Sequence, residues 1–312
     1  MISTLTIAVP TFRRPDWLGQ LLDSLAACET PPEIDPAVTL CVIDNDPERS
    51  ARTVVRERAA RLSPWRLVYL HEAEPGVVAV RNRALDVSRD SDLLAFVDDD
   101  LLVSPGWLRA LVRARMAFGA DVVFGPVAPI YEPETPEWIR RLQPHGRPIE
   151  RDGPRQEVGP TCNCLIDRGA VARLGLRFDP RMSAIGAEDT LFFTEMKERG
   201  AVLANAAGAA CREHIAPSRA SLRWLLLRWS RAGATDHMIS TRRSGRRRSR
   251  LAGLLKGALR VGGGAVMLAA SSLAMAAKGR GAAASPLRTL ARGCGMIAYA
   301  FGLIFAEYAR PR

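Results

Sequence analysis

Lysine is almost missing from this chain of 312 residues, where 3 Lys stand against 41 Arg. We read that imbalance as genome composition rather than function. Acid is missing from one end. From Arg219 onward 18 Lys and Arg face only Asp236 and Glu307, while the first 218 residues hold 26 basic and 31 acidic residues. The chain is thus a mildly acidic body with a strongly basic tail, and the tail needs its own explanation. No secretory signal is visible, because "MISTLTIAVPTFRRP" reaches Pro and Arg before a long apolar core develops. A reducing, cytosolic body is the working expectation. The six cysteines offer Cys162 and Cys164 at i, i+2, on one face of a strand, but no second pair, which argues against a zinc cluster. The usual nucleotide and hydrolase signatures are also missing: no G-x-x-x-x-G-K-[ST], no G-x-G-x-x-G after a strand, no G-x-S-x-G and no H-E-x-x-H. A nucleotide bound here would be held through a metal rather than a glycine cradle.

What is present is ordinary globular material, 47% hydrophobic and 25% charged, enough for one large α/β domain and an appendage. Short apolar runs at 5–10, 38–44, 65–70 and 92–98 alternate with helical patterns at 15–27, 48–62 and 77–87. Near-continuous apolar strands separated by helices predict a mostly parallel sheet with helices on both faces and right-handed crossovers. Ser104-Pro105 reads as a further helix start.

Two predicted strands end in acid, "VIDND" at Asp44, Asn45 and Asp46, and "FVDDD" at Asp98, Asp99 and Asp100. Ligands of open parallel sheets bind at the carboxyl ends of the strands. One aspartate there is explained as a cap or turn residue; three in a row repel one another unless a cation or protons relieve them. Carboxylate oxygens suit Mn²⁺ or Mg²⁺, ions that keep waters and bind substrate phosphates.

"TIAVPTFRRPDWLGQLLDSL", "VIDNDPERSA", "EPGVVAVRNRAL", "FVDDD" and "GAEDTLF" occur in an order and spacing that resembles glycosyltransferase family 2 over residues 4–235. "GPTCNCL" adds a resemblance to its bacterial exopolysaccharide and succinoglycan-type glucosyltransferases. The resemblance implies the GT-A fold, a nucleotide-sugar donor, a divalent metal and inversion at the sugar carbon. It implies that Pro10 and Thr11 contact the nucleotide, that Asp44 accepts hydrogen bonds from the base, and that Arg81 and Asn82 line that pocket. Asp98, Asp99 and Asp100 carry the D-x-D element, with Asp98 and Asp100 dividing ribose and metal between them. In "GAEDT" it makes Asp189 the general base and Glu188 its catalytic neighbour, shaping the acceptor pocket. Gly186-Ala187 departs from the Gly-Gly of many relatives. His214 lies where such enzymes place a later metal or phosphate contact. "SLRWLLLRWSRAG" has Ala220 where processive synthases carry the Gln of Q-x-x-R-W, which implies one sugar per encounter. Arg223 approaches the diphosphate on this reading; an interfacial amphipathic helix is the competing one.

In the tail, "RRSGRRRSR" at 242–250 holds six Arg in nine residues, followed by charge-free stretches at 261–277 and 293–306. Both fall short of the ~20 residues of a spanning helix. They predict a shallow or re-entrant helical pair on anionic lipid, with the body on the cytoplasmic side of the inner membrane. A nucleic-acid arm fits less well, since the Arg run lacks interleaved aromatics. The expected organisation is a GT-A domain at 1–218, an amphipathic helix and Arg-rich linker at 219–250, and a helical membrane-associated tail at 251–312. The expected activity is inverting, non-processive transfer from a nucleotide-sugar donor to a saccharide or lipid-linked saccharide acceptor. A nucleotidyltransferase, or a non-catalytic membrane or nucleic-acid-binding protein with a structural Asp cluster, are the alternatives.

Overall fold

The computed structural model describes residues 2–32, 34–182, 186–244, 246–278 and 283–303. The described residues form two units, the first within 2–129 and 146–214, the second within 130–145 and 215–303.

The first unit is built on an eight-stranded sheet. In chain order its elements begin with β1 (Ile2–Thr11), α1 (Pro15–Ala26), β2 (Ile34–Asp44), α2 (Arg52–Arg58), β3 (Arg66–His71), α3 (Val77–Val87), β4 (Leu93–Val97), β5 (Leu101–Val103) and α4 (Trp107–Phe118). They continue with β6 (Val122–Phe124) and β7 (Val127–Tyr131), then α5 (Glu137–Leu142) in the second unit. Back in the first unit come β8 (Gly153–Pro154), β9 (Asn163–Asp167), α6 (Arg168–Leu174), α7 (Glu188–Glu198), β10 (Leu203–Asn205) and β11 (Cys211–Ile215). The strand order is β3-β2-β1-β4-β9-β6-β10-β8, and a small second sheet has the order β5-β11-β7. Pairings around β1 and β2 are parallel, and β9 is inserted antiparallel between β4 and β6. The expected strands and the 77–87 helix are found where the periodicity placed them. The helix expected from 48 starts later, at Arg52, because the Asp44 carboxylate takes the Asp46 and Ala51 amides and makes 45–51 a turn.

Both sheet faces are buried, so side-chain parity decides what each strand end meets. Leu5, Ile7 and Val9 of β1, Leu40 and Val42 of β2, and Leu93, Ala95 and Val97 of β4 face one core with α1 and α4. Ala8, Cys41, Ile43, Leu94 and Phe96 face the other, with Val80 of α3 and Phe192 of α7. Continuing those alternations, Thr11, Asp44 and Asp99 belong to the first face, and Asp98 to the second.

The second unit contains α5, α8 (Leu222–Ser244), α9 (Arg246–Lys278) and α10 (Ala284–Ala300). Ile139 of α5 packs with Leu225, Trp229 and Ala291 in a core of its own. Asp236 on α8 pairs with Arg260 on α9 at 3.3 Å and Arg292 on α10 at 2.5 Å, joining three helices through one carboxylate. The helices approach closely at Gly233 and Gly295, where an added Cβ would strike the Arg292 and Ser230 carbonyls. The Arg-rich run, expected as a linker, is helical wherever it is described, and α9 extends well upstream of the charge-free stretch expected from 261. Residues 304–306 of the second stretch lie outside the described residues.

Candidate active site

The carboxyl ends of β1, β2 and β4 bring the predicted acids together with residues that the motifs did not single out. Parity predicts that Thr11 meets Asp99, and its hydroxyl donates to Asp99 Oδ2 at 2.8 Å. Arg14, in the turn after β1, spans Asp99 Oδ1 at 3.1 Å and Asp100 Oδ2 at 2.9 Å. Burial works against the Arg14 charge, but Asp99 and Asp100 outweigh it and hold the guanidinium above the usual arginine range. Burial pushes the Asp99 carboxyl up to about 6 even with Arg14 beside it. Asp99 is thus a strut between two strand ends.

Asp98 differs. It is half-buried, and its carboxylate takes no hydrogen bond among the described residues. Burial, opposed by Arg81 and reinforced by Asp100, Asp99 and Glu213, pushes it up to about 7. The unsatisfied oxygens of Asp98 beside the carboxylate of Asp100 are a donor set for a hard divalent cation. Among the described residues no three His, Cys, Asp or Glu side chains already converge as a metal cage. Carboxylate oxygens of this kind would suit Mn²⁺ or Mg²⁺, ions that water and phosphate complete. His214 on β11 is close by: its amide donates to the Asp100 carbonyl at 2.8 Å and its ring stacks on Trp17 at 5.7 Å. Its Nε2 is buried with no hydrogen-bond partner among the described residues.

Asp44 is fully buried, and its carboxylate accepts from the Asp46 amide at 2.9 Å, the Ala51 amide at 3.0 Å and the Tyr69 hydroxyl at 3.0 Å. A carboxylate offers about four acceptor positions, so three are already filled. Asn45 holds the 72–76 loop through the Glu72 and Glu74 carbonyls and the Gly76 amide. Pro10 pairs in register with Ile43, one step before Thr11 and Asp44.

On the second face, Arg81 of α3 is buried and bonds Glu188 at the start of α7. Burial, partly offset by Arg81, raises the Glu188 carboxyl. Asn82 does not point into open space: its amide clamps both backbone groups of Phe178, at 2.9 and 3.0 Å. Asp189 is half-buried, with Oδ1 held by the Thr190 amide at 2.6 Å and hydroxyl at 3.2 Å. Arg223 is exposed on α8, in the second unit.

The sequence reading missed Arg14, Trp17, Arg147 and Glu213. Arg147 is a buried guanidinium that bonds Glu213 at 3.1 Å and the Cys162 sulfur at 3.3 Å. Burial opposes its charge, yet Cys162, Glu213, Asp98 and Asp100 hold it above the usual range. Arg14 was findable: β1 and β4 are neighbours with Ala8 opposite Phe96, which carries the turn after Thr11 to the aspartates.

A profile of the family described as Glycosyl transferase family 2 matches residues 6–175, which spans β1 to α6 and includes the three aspartates. The chain belongs to this family. It is 39% identical over 230 residues to "Succinoglycan biosynthesis protein ExoM" of Rhizobium meliloti (strain 1021), covering 73% of this chain and 72% of that protein. Among solved structures it is similar to the mannosyltransferase PcManGT from Pyrobaculum calidifontis in complex with GDP-Man and Mn²⁺. The TM-score is 0.60 at 18% identity, over 97% of this chain and 87% of that one. S. aureus TarS 1–349 in complex with UDP gives a TM-score of 0.53 at 15% identity, over 98% and 93%. These likenesses establish the GT-A fold, and with the family they make the chain a glycosyltransferase.

Proposed function

We propose that this glycosyltransferase moves a hexose from a UDP-sugar to a saccharide or lipid-linked saccharide, with inversion, with a divalent cation, and one sugar at a time. The observation that carries the reading is the open Asp98 carboxylate, next to Asp100 at the carboxyl end of β4. Asp98 and Asp100, with His214 nearby, would hold Mn²⁺ or Mg²⁺. That ion, when bound, stabilises negative charge on a diphosphate leaving group.

The remaining chemistry belongs to side chains. With Oδ1 held by Thr190, Asp189 keeps Oδ2 without a partner among the described residues, oriented to accept a proton. The acceptor hydroxyl gives its proton to Asp189 as its oxygen bonds to the sugar carbon. The bond from that carbon to the diphosphate oxygen breaks on the opposite side, and the nucleoside diphosphate departs. A single displacement of this kind inverts the centre. The relative's printed name and the GDP-Man, Mn²⁺ and UDP complexes support a nucleotide-sugar donor and a place in exopolysaccharide synthesis.

The second unit supports attachment to the cytoplasmic face of a membrane. Within α9, Arg250–Ser271 is a 22-residue run containing an 18-residue window of mean hydropathy 1.4, 17% of it buried, and by length and composition it is apolar enough to cross a membrane. Leu251, Leu255, Leu259 and Val266 are exposed along it. The Arg run next to them suits anionic headgroups and would keep the enzyme beside a lipid-linked acceptor.

Product analysis by proton NMR tests the reading. A UDP-α-sugar donor is expected to give a β-linked product, and Asp189→Asn is expected to lose transfer while still binding UDP. A retained anomeric configuration, or pyrophosphate as the co-product, would overturn it.

A further inference from the structure

The first unit carries a cationic cleft at the edge of the sheet opposite the three aspartates. β9 runs antiparallel to β4, so Asp167 at its end lies across from Leu93, whereas Val97, at the acid end of β4, lies across from Asn163. Arg168, which follows Asp167, therefore emerges at the amino ends of the parallel strands. With the last turn of α3 it walls a cleft of about 270 Å³ whose apolar lining includes Leu85, Val171 and Leu176. Its charged lining is Asp86, Arg89, Arg168 and Arg177.

These charges do not balance. Arg177 and Asp86 satisfy each other as a bidentate pair at 2.7 and 3.0 Å. Arg168 is only 9% exposed, and its Nε and Nη2 donate to the Ser88 and Leu85 carbonyls at 3.1 and 3.0 Å, capping α3. Its Nη1 has no hydrogen-bond partner, and it makes no ion pair among the described residues. Arg89 is exposed, and its side chain makes no hydrogen bond or ion pair among the described residues either. Burial holds the Arg168 guanidinium below the usual arginine range; Asp86 opposes this, while Arg177 and Arg89 add to it. A buried arginine is ordinarily paired, and a buried donor ordinarily bonded. Two guanidinium charges on this cleft thus have no protein counter-charge of their own.

We propose that the cleft is an anion site that takes a phosphate group, free or as the ester of a small organic molecule. A phosphate monoester carries about −1.5 to −2 charge at pH 7, which matches the two charges left once Arg177 and Asp86 are paired. Its oxygens accept from guanidinium forks in strong charge-assisted bonds. The cleft is several times the ~30 Å³ that a water occupies in the liquid, so a small carbon skeleton fits beside the phosphate against the apolar lining. The site lies away from the aspartates and does not rest on the reading of Asp98 as a metal ligand.

Calorimetric titration of the purified full chain with inorganic phosphate and with glycerol phosphate tests the proposal, at constant ionic strength and in EDTA so that no metal-bound phosphate contributes. Saturable binding is expected, about tenfold weaker in Arg89→Gln and undetectable in Arg168→Met. Tighter binding of glycerol phosphate assigns the ester, and equal affinity the free ion. A wild type that binds neither probe saturably overturns the proposal, and so does binding that Arg89→Gln leaves unchanged. An equal response to chloride at the same ionic strength overturns it too, since screening alone would then explain the heat. Arg168→Met also removes the cap on α3; if it does not fold, Arg89→Gln decides alone. Asp98→Ala is expected to bind phosphate as the wild type does, and a loss there would move the anion to the other edge of the sheet and overturn the assignment.

Discussion

The acids at the ends of β2 and β4 look alike in sequence and are used in opposite ways. Asp44 is fully buried and holds three protein donors, which shape the 45–51 turn and anchor Tyr69. Asp99 is similarly engaged with Thr11 and Arg14. Asp98 takes no donor among the described residues. What separates them is the sheet face each inherits by alternation. The first face is closed by α1, α2 and the β1 turn, whose polar groups fill the carboxylates. On the second face the charged neighbour, Arg81, is already bound to Glu188. A carboxylate's part in a site is decided by how many protein donors reach it first.

The largest expected effect sets the open acid against the filled one. Asp98→Ala should cut glycosyl transfer about a hundredfold or more by removing a metal ligand, with no loss of thermal stability. Transfer assays paired with melting curves check this, and a large drop in melting temperature would place Asp98 with Asp44. Asp44→Ala should do the reverse first, orphaning two amides and a hydroxyl at a cost of ~3 kcal/mol of folding stability. Denaturant titration measures that loss. Intact stability with lost UDP binding would instead make Asp44 a nucleotide ligand.

A pH series sharpens the same contrast. Asp98 and Asp99 are raised from 3.8 to about 7 and about 6. At these two groups the folded state binds more protons than the unfolded chain between about pH 4 and 7, and their contribution to metal-free stability falls as pH rises through that window. The melting temperature without metal should drop by a few degrees from pH 5 to pH 7.5. Asp98→Asn should flatten the drop, and so should added Mn²⁺. A melting temperature that rises over this range would contradict the assignment. The smallest expected effect is Tyr69→Phe, which leaves Asp44 two of its three donors and should cost about 1 kcal/mol by the same denaturant titration.

Much of this was legible beforehand. The strand runs and the 77–87 helix follow from periodicity. The division of labour within Asp98–Asp100 was not legible. "DLLAFVDDD" is apolar on both parities, so no alternation in the sequence says which face each aspartate joins. Only the pairing with β1, which brings Thr11 to Asp99, resolves it. The grouping of Ile130–His145 with the tail helices was equally hidden, because Ile139 finds Leu225 and Ala291 far along the chain. Arg14 was printed within the first motif but pairs with acids 85 and 86 residues away.

The most direct test of the account is calorimetric binding of UDP, with and without Mn²⁺, to the wild type and to Asp98→Ala. The account predicts Mn²⁺-dependent binding that Asp98→Ala abolishes while its fold stays intact. UDP binding that ignores both the ion and the substitution would contradict it, and would leave the open carboxylate on β4 without the role assigned to it.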